Sequence, residues 1–287
     1  MKLSAWVSVS DLLPEKKTRF DRFIFDRFIK QRIFSKNNPQ DVLLALKKAG
    51  VEGLELLLSS NTKEEELQKI ESMTKKLDMQ IFSVHQPLSK LFNISIYEVS
   101  KLSQITNRLK AKVLVLHINV IGKQIFEKEY VKSLKELEKK YDIKIGIENS
   151  PKSALTIFNS YCWQEEEFSK LVIENNLNVT FDVTHVAQVG GNIFDFYKKN
   201  KSRIVNIHLS DYKKNFLNTR FLLTYDTHLP LGKGQLPIKD FLQTLKKNQY
   251  NGLITMEING SLDHLCRSAN FCLLHFKNSS DTINVEW

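Results

Sequence analysis

From Leu3 onward, short runs of apolar and β-branched residues alternate with longer stretches whose apolar positions follow a helical period. The short runs are Leu3 to Val9, Gly53 to Leu58, Ile81 to His85, Val113 to His117, Lys144 to Glu148, Val179 to Asp182, Ile204 to Leu209 and Leu253 to Ile258. Their interiors are nearly free of charge, so they read as strands buried on both faces, as parallel strands are. The stretches between them carry helix boundaries. Asn38 before Pro39 predicts an N-cap with proline in the first turn, and Gly50 follows the last turn of that helix. Thr62 and Glu65 have the spacing of a capping box ahead of Leu67, Ile70, Met73 and Leu77. Ser261 predicts the cap of a final helix running through Leu265 to Phe276.

Unbroken alternation of strand and helix leaves two architectures, a closed eight-stranded barrel or a doubly wound open sheet. No GxGxxG follows the first strand, which weighs against a nucleotide-binding open sheet. The expectation is therefore an α/β chain forming a single (β/α)8 TIM barrel domain over residues 1–287. Its length is close to the roughly 250 residues typical of that architecture. The segment from Arg19 to Phe34, rich in Phe and Arg, fits either a helix or a substrate-facing loop after the first strand.

Composition changes this picture little. The formal charge of +10 permits attraction to phosphate-bearing partners, but pairs such as Lys47-Lys48 and Lys139-Lys140 lie on helical stretches where solvated lysine is ordinary. Three cysteines, Cys162, Cys266 and Cys272, form neither a zinc-finger spacing nor an even disulfide framework, which suits reduced thiols in a cytoplasmic protein. The N-terminal residues do not form a secretory apolar core, and no run reaches the roughly 20 apolar residues that span a bilayer. A soluble chain with no membrane partner and no obligate protein partner is expected.

Candidate chemistry gathers at the strand ends. His85, His117, Glu148, Asp182, His208 and Glu257 each close, or nearly close, an expected strand, and His185 follows three residues after Asp182. Asp226 and His228 lie in the long connection after the seventh strand. In a parallel barrel, residues at the C-terminal ends of different strands converge on one mouth. Nine His, Asp and Glu residues without a cysteine make a ligand set for a catalytic divalent metal such as zinc or manganese. His264 and His275 fall on the last helix and are left out, while Glu55, inside the second strand, is a candidate for supporting a ligand.

The series GVEGLELLL, SVHQP, VLH, IGIENSP, FDVTH, NIHLSD, DTHLPLGKG and MEI resembles the motifs of the xylose isomerase-like barrels, the AP endonuclease family 2 group, from the second strand to the eighth. That resemblance implies an (α/β)8 barrel with metal at its C-terminal mouth. Two branches of the family imply two activities. Similarity to endonuclease IV implies up to three zinc ions and hydrolysis of a phosphodiester in abasic DNA. One zinc would take His85, His117 and Glu148; a second would share Glu148 with Asp182, His208 and Glu257; the third would take His185, Asp226 and His228. Similarity to the sugar isomerases and epimerases implies one divalent ion (Mn, Co or Mg) on Glu148, Asp182, His208 and Glu257. There the catalytic pair Glu148 and Glu257 would move a proton on a sugar or sugar phosphate. Lys213, Lys214 and Lys233 are the candidates for a phosphate. The complete ligand set places DNA hydrolysis first and the sugar reaction second. Ile118-Asn119 where many relatives carry Pro-Gly, and a loop after His85 without DNA-inserting residues, depart from the endonuclease pattern.

Overall fold

Eight parallel strands close on themselves in chain order, each pairing with the next and the last with the first. The computed structural model describes residues 1–13, 38–91, 93–118, 124–151, 164–214 and 227–276. The strands are β1 (Lys2–Ser8), β2 (Gly53–Leu57), β3 (Gln80–His85), β4 (Val113–His117), β5 (Lys144–Glu148), β6 (Asn178–Asp182), β7 (Ile204–Leu209) and β8 (Leu253–Met256). The helices are α1 (Val9–Leu12), α2 (Pro39–Lys48), α3 (Glu64–Lys76), α4 (Ile96–Arg108), α5 (Lys128–Tyr141), α6 (Glu165–Glu174), α7 (Val183–Gln188), α8 (Ile193–Asn200), α9 (Ile238–Lys247) and α10 (Leu262–Phe276). This is the expected (β/α)8 barrel. The segment from Arg19 to Phe34 and the residues Asp226 and Cys162 lie outside the described residues.

The apolar runs form strands because both faces are covered. Leu54, Leu56, Val84, Leu114, Leu116, Ile145, Ile147, Val179 and Phe181 are all buried in one continuous core with the inner faces of the helices. Within it Phe181 stacks near Phe196 and meets Phe241 edge-on, tying β6 to α8 and α9. Local signals set most helix starts. Asn38 accepts the Gln40 N–H at 2.9 Å and Ser261 accepts that of His264 at 3.3 Å. The box expected from Thr62 and Glu65 is displaced by one residue. Thr62 Oγ1 is engaged with Ser59, accepting its N–H at 2.9 Å, so the helix starts after Lys63, whose N–H is taken by Glu66 at 2.8 Å. At β1 the strand stops one residue early, because Ser8 caps α1 by accepting the Asp11 N–H. Of the two described cysteines, Cys272 is buried and burial pushes its thiol up to about 12. Among the described residues, no helix is long and apolar enough to cross a membrane.

One polar side chain organises the described part of the connection after β7. The Asp211 carboxylate accepts the N–H groups of Tyr212, Gly232, Gly234 and Leu236 at 2.8–3.0 Å, and its backbone pairs with Leu229 in both directions at 2.8 Å. Gly232 lies in the left-handed region at φ +78°, and a Cβ on Gly234 would come within 2.2 Å of Asp211 Oδ1. The turn LGKG is thus wrapped around a buried carboxylate. Replacing Asp211 by Ala leaves four amides without their acceptor, and should lower unfolding free energy by roughly 2–4 kcal/mol in urea denaturation. Unchanged stability would show that the turn holds itself.

Candidate metal centre

Strand register brings the ligand-type residues together. His85, His117, Glu148 and Asp182 are each the last residue of their strand, and the ladders pair His117 with Glu148 and Asp182 with His208. Neighbouring strands stand about 4.8 Å apart, so paired residues on the inner face present their side chains to one space. Glu257 follows β8 directly, its N–H on Leu209 O at 3.3 Å. His185 sits in the first turn of α7, where Asp182 Oδ1 accepts its N–H at 2.9 Å. His228 occupies a left-handed backbone conformation at φ +55°, held on one side by the Asp211–Leu229 pairing and on the other by Asn259, whose N–H it accepts at 2.7 Å.

Three adjoining donor groups result, each with ligand atoms within 4.8 Å of one another. One is His85, His117 and Glu148; the second is Glu148, Asp182, His208 and Glu257; the third is Asp182, His185 and His228. The third differs from the set implied by the motifs, since Asp182 completes it and Asp226 is outside the described residues. Glu148 and Asp182 each belong to two groups. Glu148 Oε2 lies 3.5 and 3.4 Å from the Nε2 atoms of His85 and His117, while its Oε1 lies 3.5 Å from His208 Nδ1. His208 Nδ1 is also 2.9 Å from Glu257 Oε2. These are ion-pair approaches without hydrogen-bond alignment. Among the described residues, Glu148 Oε2, Asp182 Oδ2, His208 Nδ1 and Glu257 Oε2 are buried and have no hydrogen-bond partner. Buried polar atoms are seldom left this way, and four aimed at one space fit a bound cation.

The residues just behind the ligands fix their orientation. His85 Nδ1 is 2.8 Å from the Gln86 carbonyl and His185 Nδ1 is 2.8 Å from the Asn149 carbonyl. A carbonyl only accepts, so each Nδ1 carries the proton and each Nε2 offers a lone pair to the cavity. Asn149 also clamps the ends of β5 and β6, accepting the Asp182 N–H at 2.9 Å and donating to the Asp182 carbonyl at 3.0 Å. Gln86 accepts the His117 N–H at 3.1 Å. Gln86, Asn149 and Asp211 are supporting residues that strand-end counting missed. The one sequence signal they offered was proximity, since each lies within three positions of a ligand-type residue in its motif; their burial and their backbone partners appear only in the structure.

Charge is distributed unevenly in the cavity. Burial works against ionisation of Glu148, but His117 and His208 more than offset it and hold the carboxyl well below the usual range. Burial likewise opposes ionisation of Glu257, yet His228 and His208 bring it down to about 2. Burial disfavours protonated His208, but Glu55 and Glu148 outweigh that and raise it well above an ordinary histidine. His117 moves the other way, to about 4, through burial and the neighbouring charges of His85 and His185. Glu148 and Glu257 are therefore ready for a cation, while the raised His208 favours a proton that a cation would have to displace. The sign follows directly. Divalent metal should bind more tightly as pH rises towards the raised value of His208, with release of about one proton per ion below it and none above. Calorimetric titration in buffers of different ionisation enthalpy reads that release. Binding independent of pH would remove His208 from the ligand set.

Comparison with known proteins agrees with this architecture. The chain is 28% identical over 206 residues to an uncharacterized protein of Methanocaldococcus jannaschii, covering 64% of this chain and 73% of that protein. An inosose isomerase of Halalkalibacterium halodurans is 28% identical over 127 residues, 44% of this chain and 43% of its own length. The crystal structure of a D-tagatose 3-epimerase-like protein superposes with a TM-score of 0.64 at 19% identity, covering 96% of this chain and 97% of that one. The family model described as xylose isomerase-like TIM barrel matches residues 43–270. With its closed parallel barrel and its mouth ringed by His, Asp and Glu, the chain belongs to the xylose isomerase-like TIM barrels of AP endonuclease family 2.

Proposed function

We propose that this protein is a metal-dependent isomerase or epimerase acting on a sugar or related polyol, with Glu148 and Glu257 as its proton-transfer groups. The observation that carries the reading is the four-residue group Glu148, Asp182, His208 and Glu257, in which a glutamate at the end of β5 and one just after β8 flank one histidine nitrogen. Glu148, Asp182, His208 and Glu257 would hold a divalent ion, which would supply Lewis-acid polarisation of a carbonyl and so acidify the adjacent C–H. Glu257 is the more open of the two glutamates, its side chain 22% exposed against 1% for Glu148, so it faces whatever enters the mouth. Both carboxyls are held ionised, which suits them to accept a carbon-bound proton first. Returned by the same carboxyl to the neighbouring carbon, that proton gives isomerisation. In epimerisation the other glutamate first takes a proton from a substrate hydroxyl and delivers it to the opposite face, and the first carboxyl restores the hydroxyl. The likeness to the inosose isomerase and to the tagatose epimerase-like barrel supports placing this chemistry ahead of DNA hydrolysis, the reverse of the order that the ligand motifs alone suggested.

Substrate-carbon exchange tests it. Metal-loaded protein in D2O, offered a panel of ketoses and inososes, should wash deuterium into one carbon by proton NMR. Glu148→Gln and Glu257→Gln should each slow that exchange by about 10²–10⁴-fold. Exchange untouched by both substitutions would sink the proposal.

A second reading, phosphodiester hydrolysis at a multi-metal centre, draws on one specific feature. Glu148 joins the His85–His117 group to the central group, and Asp182 joins the central group to His185 and His228. Shared carboxylates of this kind suit metals held side by side. Elemental analysis of protein purified without added metal separates the readings. About three zinc ions per chain with cleavage of an abasic duplex would favour hydrolysis, and a single ion without cleavage the sugar reaction.

A further inference from the structure

Behind His208, on the side away from the mouth, lies a carboxylate that neither proposed reaction uses. Glu55 sits in the middle of β2 with its side chain wholly inside the barrel. Its Oε2 accepts from Ser83 Oγ at 2.6 Å on β3 and from Asn206 Nδ2 at 2.7 Å on β7. Thr255 on β8 completes the layer by donating to Asn206 Oδ1 at 3.0 Å. Glu55 Oε1 lies 2.8 Å from His208 Nε2, an ion-pair approach, and among the described residues neither atom has an aligned hydrogen-bond partner. The contact is that of a close ion pair.

We infer that Glu55 is a positioning residue that holds His208 as the Nε2–H tautomer, so that Nδ1 presents its lone pair to the metal centre. The inference rests on the reading of His208 as a metal ligand. The donor and acceptor inventory carries it. Ser83 and Asn206 both donate to Oε2, so Glu55 acts as an acceptor, and its other oxygen, facing His208 Nε2, is matched only if that nitrogen carries the proton. With Nε2 protonated, the neutral ring keeps its free electron pair on Nδ1, the atom 2.9 Å from Glu257 and 3.5 Å from Glu148. His85 and His185 are oriented by backbone carbonyls and present Nε2 instead. His208 presents Nδ1, and a buried carboxylate orients it from the barrel interior.

A nearly isosteric change reverses the arrangement. The amide of Glu55→Gln has one acceptor oxygen, and Ser83 and Asn206 both donate into the position of Oε2. If the oxygen stays there, the amide NH2 faces His208 Nε2 and requires a lone pair on it. The proton then moves to Nδ1 and blocks the ligand atom. Glu55→Gln should therefore keep the fold but weaken zinc or manganese binding by about 10–100-fold, the cost seen when the outer partner of a ligand histidine is lost. Ser83→Ala, which removes one donor but keeps the carboxylate, should stay within about 3-fold of the unaltered protein.

The experiment is metal titration of all three proteins, together with long-range proton–nitrogen NMR of histidine-labelled protein at a pH where the ring is neutral. The expected spectrum shows Nε2–H at His208 in the unaltered protein and Nδ1–H in Glu55→Gln, with affinity falling in the latter alone. An Nδ1–H His208 in the unaltered protein overturns the inference, and does so even if the variant fails to fold. Equal losses in Ser83→Ala and Glu55→Gln overturn it too, since a loosened polar layer then explains both. A tautomer that flips while affinity holds overturns it from beneath, by removing His208 from the metal centre.

Discussion

A carboxylate buried among apolar strands must find positive charge, and the mouth of this barrel is built around that requirement. Glu148 and Asp182 are almost wholly shielded from water, and Glu257 stands close to Glu148 across His208. An unpaired ion in such a place costs several kcal/mol or changes its protonation state. Histidines answer the need by taking up protons, which is why His208, His85 and His185 rise while the glutamates fall. A divalent metal would answer it more completely, because one ion would bring two charges to several oxygens without crowding the space with rings. The carboxylates are therefore the costly part of the site, and the histidines and supporting amides are arranged in response to them.

The barrel makes that concentration of charge possible. Closure in chain order sets the end of every strand beside the ends of its two neighbours. Within each donor group, ligand-type residues far apart in sequence then stand no more than three strand spacings from one another. The apolar core below is continuous and supports the polar layer of Glu55, Ser83, Asn206 and Thr255 from all sides. Within that layer Ser83 and Asn206 donate to Glu55 and Thr255 donates to Asn206, which is what lets so polar a group persist there.

Most of the fold was legible in the residues, and the reason is local. The strands are apolar runs of the right length, and caps such as Asn38 and Ser261 depend on atoms two or three residues away. Thr62 misled because Ser59 competes for the same hydroxyl, a contact that helix spacing does not reveal. At the site, eight of the nine ligand-type residues are described, and all eight fall into the three donor groups. Their grouping was less legible. Asp182 joins His185 and His228 because α7 folds back directly from the end of β6, a turn that no motif encodes. Gln86, Asn149 and Asp211 went unread for a similar reason: their partners are backbone atoms, and those atoms leave no trace in a pattern of side chains.

His228 shows how the centre is assembled from parts of unequal permanence. Most of the other ligand-type residues belong to strands, and the barrel could not lose them without altering its own ladder. His228 is attached differently, through a left-handed residue on a turn gathered around the Asp211 carboxylate. A donor mounted this way can be gained, withdrawn or re-aimed by changing a short loop, while every strand stays in register. A barrel of this construction could therefore change the donor set around its mouth by editing a single connection.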